Sequence, residues 1–116
     1  MTDNPIDPEA WETFKSMMDA SFLAEMIDTY LSDAPMLIEQ MRSGIASSNV
    51  ELVRRAAHSL KSNSANIGAL RLAGVTRELE MIAKGGGLDG AGPKFEQVTA
   101  EYSVVATALE ALKNEQ

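Results

Sequence analysis

His58 is the sole histidine of this 116-residue chain. Lys61 follows it at the i, i+3 spacing that brings two side chains to one side of a helix. An imidazole in water is largely neutral at pH 7, so one ring nitrogen keeps a lone pair. That nitrogen can attack a phosphoryl group and carry it as a phosphoramidate. An ammonium alongside would offset the charge on the phosphoryl oxygens. Mechanisms that need two imidazoles within one subunit are excluded. There is no cysteine, which also excludes disulfides, thiol nucleophiles and Cys-based metal sites.

Other motifs are weak by comparison. Glu25 and Asp28 form an i, i+3 pair of the kind usually solvated, not a metal site. Gly85 to Gly90 spells G-x-G-x-x-G, but it follows a helical pattern and runs into Gly92-Pro93. Dinucleotide binding needs a strand before that loop and a helix after it. P-loop spacing is also missing, so the chain is not expected to phosphorylate itself from ATP.

The histidine must be positioned by a helix, and the surrounding pattern supplies one. On a wheel of about 100° per residue, Val53, Ala57, Leu60 and Ser64 cluster on one side, with Ala56 and Ile67 near its edge. That is the expected core face of a helix over 50–66. His58 falls about 145° from its centre and projects outward, together with Arg54, Arg55, Ser62 and Ala65.

Helical periodicity runs through nearly the whole sequence. Asp7-Pro8-Glu9 places an N-cap, a first-turn proline and a first-turn acid in order. Trp11, Phe14 and Met18 follow on one stripe. A second helix spans about 20–46. Pro35 interrupts it, and because the apolar stripe resumes in phase, one kinked helix is expected rather than two. Ser47-Ser48-Asn49 makes a turn and cap before the third helix, and Gly68 ends that helix. A fourth helix covers 69–84, with Leu72, Val75, Leu79 and Ile82 inward. After a glycine-rich loop, Pro93 is expected to open the last helix, whose apolar seam runs from Phe95 to Leu112. No segment reads as a strand. The expected fold is all-α, an antiparallel four-helix bundle with a short additional N-terminal helix. One domain is expected over 1–116, with 1–6 and 114–116 frayed.

Charge sharpens the reading. The net charge is −7, which argues against nonspecific nucleic-acid binding. Yet residues 51–84 hold six basic side chains against three acidic ones, and the stretch from Arg54 to Arg77 holds no acid. A local basic field on an acidic chain suggests that an anionic group is handled there. No apolar run nears the roughly 18 residues a bilayer span needs. The polar, acidic start is unlike a secretory signal, so the cytoplasm is the expected location.

The run His58-Ser59-Leu60-Lys61-Ser62-Asn63-Ser64, followed by Gly68-Ala69, resembles the His-x-Leu-Lys-Gly-Ser-Ser…Gly-Ala signature of histidine-containing phosphotransfer (HPt) domains. Ala56-Ala57, Arg77-Glu78-Leu79-Glu80 and the segment from Phe22-Leu23 to Asp33-Ala34-Pro35 fit as well, so the likeness covers essentially the whole chain. It implies a phosphocarrier in a two-component phosphorelay, which takes phosphate from a receiver-domain aspartate and hands it to another. His58 would be phosphorylated, usually through Nε2, with Lys61 beside the phosphoryl group. Glu80 matches a Glu/Gln position that orients the imidazole. The chain departs from the family at Ser62, where glycine is usual, and a side chain there bears on partner preference and rate. The resemblance also implies docking of receivers over Arg54, Arg55, Ser62 and Ala65 and an apolar patch of Met17, Met18, Phe22 and Met26. Flexible methionines suit such contacts. A hybrid sensor kinase is a further expected partner. No cofactor is expected on this chain, Mg²⁺ being the receiver's, and a monomer suffices. The alternative is a helical adaptor that binds receivers or a kinase without carrying phosphate.

Overall fold

The computed structural model describes residues 4–115. It contains five helices: α1 (Pro8–Ser16), α2 (Ala20–Ala46), α3 (Val50–Asn66), α4 (Leu70–Lys84) and α5 (Ala91–Asn114). Among the described residues there is no strand. Helices α2 to α5 form the bundle, with α3 packed between α2 and α4, and α5 closing the ring against α4 and α2. The bundle with its short extra helix is the architecture expected from the periodicity.

Local chemistry sets the helix ends. The Asp7 carboxylate accepts from the Ala10 amide at 2.9 Å and caps α1. Asp19 and Asn49 do the same for α2 and α3. Helix α2 passes Pro35 without a break; that proline is exposed, and lacking an N–H it leaves the Leu31 carbonyl without its usual amide partner. The last helix starts two residues earlier than expected, at Ala91. A proline in the first turn does not have to open it, because the first-turn amides have no partner within the helix in any case.

Gly68 locks the helices that carry the site. It adopts φ +89°, which glycine reaches without the Cβ penalty. The Gly68 and Ala69 amides donate back to Ala65 and Ser64 at 3.1 and 2.9 Å, ending α3. The Gly68 carbonyl accepts from the Asp7 amide at 2.8 Å, which pins the start of α1 to the α3–α4 turn. A Cβ at this position would stand 3.1 Å from the Ala10 Cβ.

The core contains Leu23, Ile27, Met41, Val53, Leu60, Leu72, Leu79, Val98, Val105 and Leu109, all fully buried. The α3 face expected to point inward (Val53, Ala57, Leu60, Ser64) is buried, as are Ala56 and Ile67. Ile6 corrects the expectation of a frayed N-terminal segment, because it is buried in the core cluster with Trp11. Residues 1–3 and 116 lie outside the described residues.

Candidate functional site

Helices α3 and α4 lie side by side, and they bring three separated side chains together. The His58 ring projects from α3 with 57% of its side chain exposed. Its Nδ1 lies 2.8 Å from Glu80 Oε2, on α4. The other oxygen of the same carboxylate, Oε1, lies 2.9 Å from Lys61 Nζ. The Glu80 side chain is only 3% exposed. One buried acid therefore engages both candidate residues of α3.

The electrostatics decide the protonation pattern. Burial by itself would push the Glu80 carboxyl up. Hydrogen bonds from Lys61 and His58, and the charge on Lys61, outweigh it and hold the carboxyl below its ordinary value. Ionised, Glu80 can only accept. His58 Nδ1 must then donate, which leaves the lone pair of the neutral ring on Nε2. Nε2 has no hydrogen-bond partner among the described residues, and the ring is open to solvent. The arrangement is an exposed nucleophilic nitrogen whose tautomer and orientation are set by a carboxylate shielded from water.

Lys61 departs from expectation in one respect. It does not stand free beside the ring, because its half-buried ammonium is bound by Glu80. Spacing within α3 could not show this, since the acid comes from another helix. Arg54 lies one turn before His58, but its guanidinium is gripped by Glu51 through both carboxylate oxygens. Arg55 stays exposed, 3.9 Å from Glu51. Ser62 is half-buried and Ala65 exposed, so past Lys61 only small groups flank the ring on its C-terminal side.

The four apolar docking candidates divide into two pairs. Met17 and Phe22 are 69% and 49% exposed. Met18 and Met26 are half-buried and lean on the core. Met17 and Met26 line a cleft of about 230 Å³ with Phe14, Tyr30, Asn63 and Ile67. Sequence reasoning missed Leu70, which is exposed at the start of α4; its signal was a leucine out of phase with the Leu72–Leu79 stripe. It counted Arg77 in the basic stretch without giving it a role; the side chain lines a depression with Lys61 and Ser62.

A family model described as Hpt domain matches residues 25–115. The chain belongs to the Hpt family. Hpt proteins are histidine phosphocarriers of two-component signalling, not kinases, and they interact with receiver domains. The match begins inside α2, so Met17, Met18 and Phe22 lie outside it. The fold is similar to that of the histidine-containing phosphotransfer protein HptB from Pseudomonas aeruginosa PAO1. The TM-score is 0.92 at 24% identity, over 99% of each chain. A comparison with curated proteins finds no match. Among the described residues, no helix is long and apolar enough to cross a membrane.

Proposed function

We propose that His58 is the phosphorylated residue of a relay, taking a phosphoryl group from one receiver phosphoaspartate and giving it to the aspartate of another. The supporting observation is the hydrogen bond from Nδ1 to buried Glu80, which presents Nε2 as the free nucleophile. In the forward step the Nε2 lone pair attacks phosphorus. The phosphorus–oxygen bond to the aspartyl group breaks, and the aspartate leaves as a carboxylate. The ring then carries a positive charge, which the Glu80 carboxylate stabilises through the Nδ1 proton. In the return step a receiver carboxylate attacks phosphorus, the nitrogen–phosphorus bond breaks, and neutral His58 is regenerated. No water or external acid enters either step. Lys61 keeps Glu80 ionised and can turn toward the phosphoryl oxygens. The Mg²⁺ of such transfers belongs, in this reading, to the receiver's acidic pocket.

Incubation with a phosphorylated receiver should label the chain with phosphate that is acid-labile and base-stable. His58→Gln should abolish the label while the helical circular dichroism spectrum is unchanged. Labelling that persists in this variant excludes His58 as the carrier. Receiver binding without any label would favour an adaptor instead.

A further inference from the structure

Among the described residues, Arg77 and Lys84 are the basic side chains that lack an ion pair; the other eight each meet a carboxylate. Lys84 ends α4. Arg77 stands one turn before Glu80, whose two oxygens are already taken by His58 and Lys61. Its guanidinium is exposed and lines an open depression of about 440 Å³ between α3 and α4. The walls are mostly small: Ser62 and Ala65, with Asn66, on α3, and Ala73 and Gly74 on α4. Nothing lies within 4 Å of where a Gly74 Cβ would be, so the depression is unfilled at that point. Lys61 closes its end nearest His58.

An unneutralised arginine beside an unfilled hollow has a definite chemical preference. Its planar fork matches a carboxylate through two parallel hydrogen bonds. The Ser62 hydroxyl, in place of the family's usual glycine, adds a further donor in the same hollow. The hollow lies beside His58 rather than over it, because position 77 is displaced along α4 from the residue that grips the ring. We infer that this depression seats an acidic side chain of the docking receiver, with Arg77 as the residue that selects for it. The inference rests on the relay reading for its partner. Charge complementarity calls for an anion here, and because His58 is not among the residues that line the hollow, a receiver carboxylate fits it better than the phosphoryl group itself.

The test uses the full chain, a receiver in its unphosphorylated and phosphorylated forms, and phosphoramidate as a small phosphate donor. Arg77→Ala should weaken receiver binding about tenfold, and Arg77→Glu more, with a shallower dependence of affinity on salt. Transfer from the phosphorylated receiver should show a raised KM with kcat little changed. Labelling by phosphoramidate should match wild type. Arg42→Ala, at a paired arginine stacked on Phe95, controls for loss of one positive charge. A fall in kcat, or slower phosphoramidate labelling, would place Arg77 at the phosphoryl group and overturn the assignment. Unchanged affinity and salt dependence in Arg77→Glu would overturn it as well. If wild type binds the receiver but takes no label, the relay reading fails while the binding arm still decides the hollow. Absence of receiver binding by wild type rejects both.

Discussion

Helix α3 makes polar contacts on two of its sides, toward α4 and toward α2, and the two are built on opposite principles. Toward α4, His58 meets Glu80: a charged acceptor buried behind an exposed ring. Toward α2, the Ser64 hydroxyl meets the Tyr30 hydroxyl at 2.8 Å, with both residues buried. Burial pushes the Tyr30 phenol well above its ordinary value, against a smaller opposing effect of the Ser64 hydrogen bond. That pair is neutral, enclosed and tied to the core. The first leaves a nitrogen with nothing to bond, and the second leaves no polar atom without a partner. One helix thus holds a structural face and a chemical face. What separates them is whether the bond ends in solvent, not whether a polar group is buried.

The largest effect expected from breaking this comparison is at Glu80. Glu80→Ala removes the acceptor that fixes the tautomer, and transfer should slow about 10- to 100-fold, by analogy with other groups that orient a histidine. Glu80→Gln should recover part of the loss. Its amide oxygen can accept from Nδ1, although its amide nitrogen faces the Lys61 ammonium. Single-turnover transfer from a phosphorylated receiver measures both variants. Equal rates in wild type and Glu80→Ala would remove the carboxylate from the mechanism. A ring-nitrogen chemical shift that moves in step with the rate would show that the tautomer is the cause, because a merely structural acid would leave it fixed.

At the enclosed contact the expectation is reversed. Ser64→Ala leaves the buried Tyr30 hydroxyl without its partner and should cost about 1 kcal/mol of stability. For a domain of this size that lowers Tm by about 4 °C. Transfer rates should hold. A change in rate larger than the change in stability would mean that the two faces of α3 communicate.

The difference between the faces also explains what was legible beforehand. The α3 core stripe, the Asp7 cap and the Gly68 stop follow from rules that act within a few residues, and the sequence carried each of them. Outward placement of His58 followed from the same wheel. The state of Lys61 did not, because it depends on which α4 residue reaches it across the helix–helix contact. Glu80 could be placed only through the family resemblance; its own neighbours on α4 read as an ordinary helix edge. Ile6 was misjudged for a similar reason, since its burial comes from the tie between Asp7 and Gly68 rather than from local periodicity. Arg77 left no trace, because Glu80 at its i+3 position reads as an available partner until the structure shows both its oxygens taken by His58 and Lys61.

The smallest expected effect, Lys61→Ala, probes the coupling inside the chemical face. The ammonium contributes to Glu80 staying ionised while buried, and burial remains when the ammonium is removed. The Glu80 carboxyl should therefore titrate at higher pH in the variant. The sign follows from linkage. In wild type the folded-state value lies below the ordinary one. The stability from this carboxylate is therefore complete above the ordinary carboxylate range and is lost as pH falls through the lowered value. In Lys61→Ala that loss should begin at higher pH, and the acid limb of the transfer profile should move the same way. At neutral pH the transfer rate should fall only about threefold, under 1 kcal/mol, because Glu80 remains to hold the ring. Carbon-13 titration of the Glu80 carboxyl alongside transfer rates separates the two roles of the lysine. A slower rate with an unmoved titration would mean that Lys61 acts on the phosphoryl group directly. A moved titration with a matching acid limb would mean that it acts through Glu80.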